Sequence, residues 1–170
     1  MKAWIGLGGN REDSAALIAE ALMRIEATPG VSVRRRSRCY RSPPWGLADQ
    51  PDFVNAVAEL ETVLEPLPLL HLLLAVESRL GRRRDGTRWG PRCIDLDLLT
   101  YEGLRLRSSE LVLPHPEMQL RAFVLVPLLE LEPGFMIPGV GPVVDCLADI
   151  DASEAAAVVP LPSTRKESRS

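Results

Sequence analysis

The chain has 170 residues, 46% of them hydrophobic and 25% charged, with a formal net charge of −3. That is the composition of one globular domain, and it excludes a disordered tail, a fibrous repeat and a general nucleic-acid binder with a basic excess. The apolar runs at 67–76 and 122–131 fall short of the ~20 residues of a membrane-spanning helix. MKAWIGLGGN is not a signal peptide, and Cys39, Cys93 and Cys146 form no CxxC pair. The expectation is a cytoplasmic domain over residues 1–162 with a frayed polar tail at 163–170.

Residues 2–8 alternate as a first strand ending at Gly8-Gly9, read as a tight turn, with Asn10 available to cap the next helix. Leu17, Ile18, Ala21, Leu22 and Ile25 recur at helical spacing in a helix over 13–27, stopped by Pro29-Gly30. Residues 31–40 read as one arginine-faced strand, and 42–52 as a Pro- and Gly-barred loop. Phe53–Thr62 alternates, with Val54, Ala56, Ala58 and Leu60 on one face and Phe53, Asn55 and Val57 on the other. A helix is expected over 67–80, a loop over 82–91 and a strand over 92–101. Glu102-Gly103 turns that strand toward a short partner at 104–107. A final helix over 116–131 carries a possible break at Pro127. The sum is an α+β sandwich with a mainly antiparallel sheet.

Basic residues concentrate in two arginine clusters: Arg34, Arg35, Arg36, Arg38 and Arg41, then Arg79, Arg82, Arg83, Arg84, Arg88 and Arg92. Their planar donor forks suit a polyphosphate partner, although solvated charged faces are as common. In RWGPRCIDLDLLTY, alternation puts Asp95 and Asp97 on one strand face, about 7 Å apart along the chain. Ile94, Leu96 and Leu98 then point to the core. A bare D-x-D is most often an ordinary half-exposed strand, but paired carboxylates beside arginines suit magnesium and phosphates. GLGGN lacks the last glycine of G-x-G-x-x-G, Arg11 standing there, and no P-loop occurs. His71 reads as a structural residue within a leucine-rich helix. His115, fixed between prolines before a helix, suits either a loop role or an anion contact.

RWGPRCIDLDLL resembles the signature of the 6-hydroxymethyl-7,8-dihydropterin pyrophosphokinase family. GLGGN, YRSPPWGLADQPDFVNAVAELET and LPHPEMQLRAFVLVPLLELEP resemble three further stretches of it, in order, over about residues 3–138. Gly9 stands where the family usually has serine. The resemblance implies a ferredoxin-like α+β fold and transfer of pyrophosphate from ATP to the pterin's hydroxymethyl oxygen, a step of folate biosynthesis. Asp95 and Asp97 would bind two Mg2+ ions, and Arg82 and Arg92 would contact the phosphates. His115 and Arg121 would hold the triphosphate, with Glu77, Arg84 and Trp89 also on the ATP side. Ser42, Pro44, Trp45 and Asn55 would line the pterin site, the ring stacking between Phe53 and Phe123. The implied partners are small molecules, with no nucleic acid and no membrane, and a monomer is the favoured state. The 82–91 loop would be the most mobile internal segment and would order over both substrates. Two other readings fit parts of the pattern: a two-metal nucleotidyltransferase on a ferredoxin-like sheet, and a non-catalytic RNA-binding module, which the strand aspartates oppose.

Overall fold

The structure, a computed structural model, describes residues 1–11, 13–44, 49–81 and 94–162. The expectations for Trp45, for the 82–91 loop with Arg82, Arg84 and Trp89, for Arg92 and for the 163–170 tail lie outside them.

Strand β1 (Lys2–Gly9) runs through the middle of the main sheet because its two faces are built differently. Ala3, Ile5 and Leu7 are buried on one face, while Trp4, Gly6 and Gly8 alternate on the other. Helix α1 (Ser14–Glu26) turns Ile18, Ala21, Leu22 and Ile25 inward. Strands β2 (Val31–Arg36), β3 (Tyr40–Ser42) and β4 (Phe53–Thr62) follow, then helix α2 (Pro66–Arg79) and strand β5 (Asp95–Tyr101). Pro66 opens α2 where its missing N–H has no intrahelical partner to lose. Gly81, at φ +88°, follows the helix in the left-handed conformation that glycine adopts without a Cβ penalty.

The sheet order is β10-β3-β4-β1-β5, with β2 pairing β4 beside β3, and every pairing is antiparallel. Two strand-helix-strand crossovers thus place β1 and β4 at the centre, the α+β ferredoxin-like arrangement. On one face, α1 and α2 enclose a core of Ile5, Leu7, Ala58, Leu60, Leu69, Leu73, Ile94, Leu96 and Leu98. On the other, α3 (Ala122–Leu131) and α4 (Val143–Ala148) pack Val124, Leu125, Leu128 and Val143 on Trp4, Val57 and Leu99. Alternation turns Leu99 to this second core, and a bulge opposite Trp4 and Ile5 then shifts the phase so that Tyr101, beyond it, returns to the first.

Four expectations change. The strand expected over 31–40 is split. Ser37 interrupts it, donating its N–H to Val57 O at 2.8 Å and accepting from Val57 N at 3.0 Å through its hydroxyl, so a side chain replaces part of the ladder. The glycines of GLGGN lie inside β1 and not in a turn, and Asn10 does not cap α1. Its amide donates to Gln50 Oε1 at 3.0 Å, while Ser14 bonds Arg11 at the helix entrance. The segment expected to pair with the 92–101 strand forms β6 (Leu106–Arg107) against β7 (Val112–Leu113), after Glu102 and Gly103 turn the chain at positive φ. The expected 116–131 helix is a 3-10 turn (Met118–Leu120) followed by α3. Its break falls at Arg121, whose backbone is extended, while Pro127 sits inside α3.

The chain after Pro138 contributes more than the sequence suggested. Beyond β8 (Met136–Ile137), β9 (Gly141–Pro142) and α4 come α5 (Ala152–Ala156) and β10 (Val159–Pro160), which pairs with β3. Val158 is buried with Tyr40 and Ala122, and Phe123, Leu147 and Ile150 pack on that cluster. Leu125, 0% exposed, lies at the centre of the second core. Leu125→Ala is expected to cost about 2–5 kcal/mol of stability, read as a lower urea midpoint at unchanged slope.

Candidate active site

Register places Asn55 of β4, Gly8 of β1 and Asp95 of β5 in one row across the sheet, and Val57, Gly6 and Asp97 in the next. The central position of both rows is a glycine. The face that Trp4 and Leu99 fill further along the sheet therefore receives no side chain from β1 in these two rows, although Val57 beside Gly6 still packs into the second core. The result is a cavity of about 100 Å³ whose walls include Ser42, Pro43, Phe53, Asn55, Asp95, Asp97, Arg121 and Phe123, over Gly6 and Gly8. A Cβ on Gly8 would stand 2.5 Å from Asn55 Oδ1, so Asn55 occupies the space that a side chain at Gly8 would take. Asn55, 6% exposed, donates from Nδ2 to Ser42 Oγ at 3.0 Å, which orients the amide.

Asp95 and Asp97 are half-buried on the cavity side of β5, and the residues between and beside them point into the first core, as alternation requires. Arg121 reaches the same cavity from the break before α3. One guanidinium nitrogen lies 3.7 Å from Asp97, another pairs with Glu117, and the group sits 5.7 Å from the centre of the Phe123 ring. Its Nε–H is buried and meets no acceptor among the described residues. A guanidinium in the wall of a cavity, beside two carboxylates, suits an anion or an anion bridged by cations.

His115 lies outside this cavity, in a neighbouring cleft with Arg105, Arg107 and Gln119. Its N–H donates to Leu99 O at 2.8 Å, and its ring Nδ1 accepts from Glu117 N at 3.3 Å. Burial, and then the Arg121 charge, hold the imidazole below its ordinary value of 6.5, against the opposing pull of Glu117 and Asp95. The ring is neutral near pH 7, and with Nδ1 accepting, the proton is assigned to Nε2.

Of the residues named from sequence, the cavity brings together Ser42, Phe53, Asn55, Asp95, Asp97, Arg121 and Phe123. Pro43 lines it, while Pro44 beside it does not. Glu77 is 2% exposed on α2, and its Oε1 accepts from Leu96 N at 2.6 Å, at the edge of β5. Gly6 and Gly8 were missed as site residues. Their signal was in the sequence, since glycines at alternate positions of a central strand strip one face of side chains.

Among the described residues the first arginine cluster does not line the cavity, and four of its five members are paired elsewhere. Arg34 pairs with Glu61, Arg35 with Glu59 and Glu132, Arg38 with Glu130, and Arg41 with Asp52. Cross-strand and helix carboxylates thus take up the donors expected to serve a polyphosphate, and hydrogen bonds to Glu132 and Glu59 raise the Arg35 pKa. Of the second cluster, only Arg79 is among the described residues.

A family model described as 7,8-dihydro-6-hydroxymethylpterin-pyrophosphokinase matches residues 4–133. The chain belongs to this family. It is 48% identical over 152 residues to a 2-amino-4-hydroxy-6-hydroxymethyldihydropteridine pyrophosphokinase of Methylorubrum extorquens, covering 89% of this chain and 95% of the relative. It is 44% identical over 137 residues to the Pseudomonas aeruginosa enzyme of that name, covering 81% and 84%. Among solved structures, an HPPK-DHPS of Plasmodium falciparum superposes with a TM-score of 0.66 at 14% identity, over 85% of this chain and 44% of that one. That likeness concerns the pyrophosphokinase fold alone, since this chain spans less than half of the two-part protein.

Two outcomes test the geometry. Gly8→Ala is expected to displace Asn55 and break its bond to Ser42, seen as a shifted Asn55 side-chain amide resonance. A proton NMR titration is expected to place the His115 midpoint below 6.5, and Arg121→Ala to raise it. The folded pKa is depressed, so the ring's contribution to stability is complete above 6.5 and is lost as pH falls through the folded value.

Proposed function

We propose that this chain transfers pyrophosphate from ATP to the hydroxymethyl oxygen of 6-hydroxymethyl-7,8-dihydropterin, giving AMP and the pterin diphosphate in folate biosynthesis. One observation carries the assignment of roles: a single cavity is lined both by Phe53, Asn55 and Phe123 and by Asp95, Asp97 and Arg121. A flat heterocycle offers ring faces to the phenylalanines and an amide-like edge to Asn55. A triphosphate offers oxygens to Arg121 and, through cations, to the aspartates.

The donor set suits Mg2+. Two carboxylates supply hard oxygens from a rigid strand, and the glycines across β1 leave space in front of them. When bound there, two Mg2+ ions would neutralise phosphate charge and polarise the β-phosphoryl group. The chain's own residues hold and orient. Asn55, fixed by Ser42, sets the pterin's rotation in its plane. Arg121 directs its guanidinium charge and terminal donors at the triphosphate. His115, neutral with its proton on Nε2, offers a further donor beside the same chain of phosphates.

The hydroxymethyl oxygen bonds to the β-phosphorus as the bond to the α–β bridging oxygen breaks, and AMP departs. Reactions of this type need little covalent help from the protein beyond alignment and charge neutralisation. Arg82 and Arg92, with Arg84 and Trp89, belong to this reading by their place in the family signature. Pro44 and Trp45 belong to it on the pterin side. The protein would act as a cytoplasmic monomer on these small molecules, with residues 1–162 as its one domain. Among the described residues no helix is long and apolar enough to cross a membrane.

Incubation with Mg2+, ATP and the reduced pterin alcohol is expected to yield AMP and pterin diphosphate in equal amounts. Release of inorganic pyrophosphate in place of AMP would instead identify a nucleotidyltransferase. Asp97→Ala is expected to lose most turnover while remaining folded, because the buried face of β5 is untouched. Any relief of carboxylate repulsion in that variant is opposed by the loss of Asp97 as a partner of Arg121. Loss of a donor aimed at transition-state charge costs about a hundredfold or more in rate, and Arg92→Ala is expected to show it at a near-normal melting temperature.

A further inference from the structure

We infer that Glu77 is a positioning residue for the aspartate pair, holding the β5 backbone between Asp95 and Asp97 and setting a third carboxylate behind them. The inference rests on the reading that Asp95 and Asp97 hold the cations. Among the described residues β5 is the last strand of the sheet and pairs with β1 alone. Backbone groups on its outer edge therefore lack a strand to bond, and edge groups of this kind are ordinarily left to water. At Leu96 water is excluded: Leu96 and Glu77 are each 2% exposed. The N–H of Leu96 is met instead by Glu77 Oε1 at 2.6 Å. That peptide group lies directly between the two aspartates, so the bond restrains the segment that sets how their side chains are presented.

The residue type is informative. The other buried positions of α2 are Pro66, Leu69, Leu73 and Val76, an apolar face packed on the first core. Glu77 is the one charged residue among them. A glutamine could accept the same hydrogen bond, and burying its amide costs far less than burying a carboxylate. What glutamate adds is negative charge close to a divalent-cation site, where burial limits screening by salt. Because its Oε1 meets the backbone at the outer edge of β5, Glu77 acts on the aspartates through the strand, as outer-shell partners of metal ligands do.

The test uses the full-length protein with Mn2+ as the probe, its binding followed by electron paramagnetic resonance in the presence of a non-hydrolysable ATP analogue. Glu77→Gln keeps the acceptor and removes the charge. It is expected to weaken Mn2+ binding about tenfold or more, with pterin affinity and melting temperature close to the parent. Glu77→Ala removes both and is expected to weaken Mn2+ further and to speed hydrogen exchange at the Leu96 amide. Parent-like Mn2+ binding by Glu77→Gln would overturn the charge role. Parent-like Leu96 exchange in Glu77→Ala would overturn the positioning role. Asp97→Ala separates the two levels: if it too binds Mn2+ like the parent, the metal reading of the strand fails. If it alone loses Mn2+, only the inference about Glu77 fails.

Discussion

The absence of side chains at Gly6 and Gly8, in the most buried strand of the sheet, is the constraint on which the site depends. A sheet packed by helices on both faces has no natural opening, because alternation supplies a side chain to each face at every second residue. Here one face closes normally over Trp4 and Leu99 and then, for two rows, receives no side chain from its central strand. Everything functional gathers at that gap. Asn55 leans into the space over Gly8, the two aspartates stand across from the glycines, and Phe123 and Arg121 reach over from the opposite layer. A methyl group at Gly8 would collide with Asn55, so the strand's lack of bulk and the amide's orientation are one feature.

Charge is distributed by the same geometry. Arginines of β2, β3 and the turn between them lie beside glutamates and an aspartate brought close by strand pairing and by α3, and their donors are taken up in pairs that brace the sheet's outer surface. Exposed pairs of this kind add little stability each. Arg121 differs because it enters a confined cavity from an extended break between two helical segments. Position in the fold separates an arginine that braces the surface from one that lines the cavity.

The last quarter of the chain supports the site from behind. β10 adds a short strand to β3, the strand that carries Ser42, and Val158, Leu147 and Ile150 pack around Phe123 and Tyr40. On the opposite side of the sheet, α2 covers the edge at β5. The cavity is thus held at both flanks by elements that contribute little or nothing to its lining.

The sequence by itself determined the strand and helix order, the faces of β4 and β5, the aspartate pair, and the family signature that carries both activity and fold. These are local properties: alternation, helical periodicity and motif spacing survive in one dimension. Tertiary structure decided what depends on partners. It decided that the 31–40 segment breaks at Ser37, because only the folded sheet presents Val57 to that hydroxyl. It placed GLGG within a strand, because two flanking strands offset the conformational freedom that makes paired glycines look like a turn. It assigned the first arginine cluster to structural carboxylates that lie up to 97 residues away along the chain. It also set Glu77 against the Leu96 backbone, since a buried acid at the end of an apolar stripe has no meaning until the strand edge it meets is known.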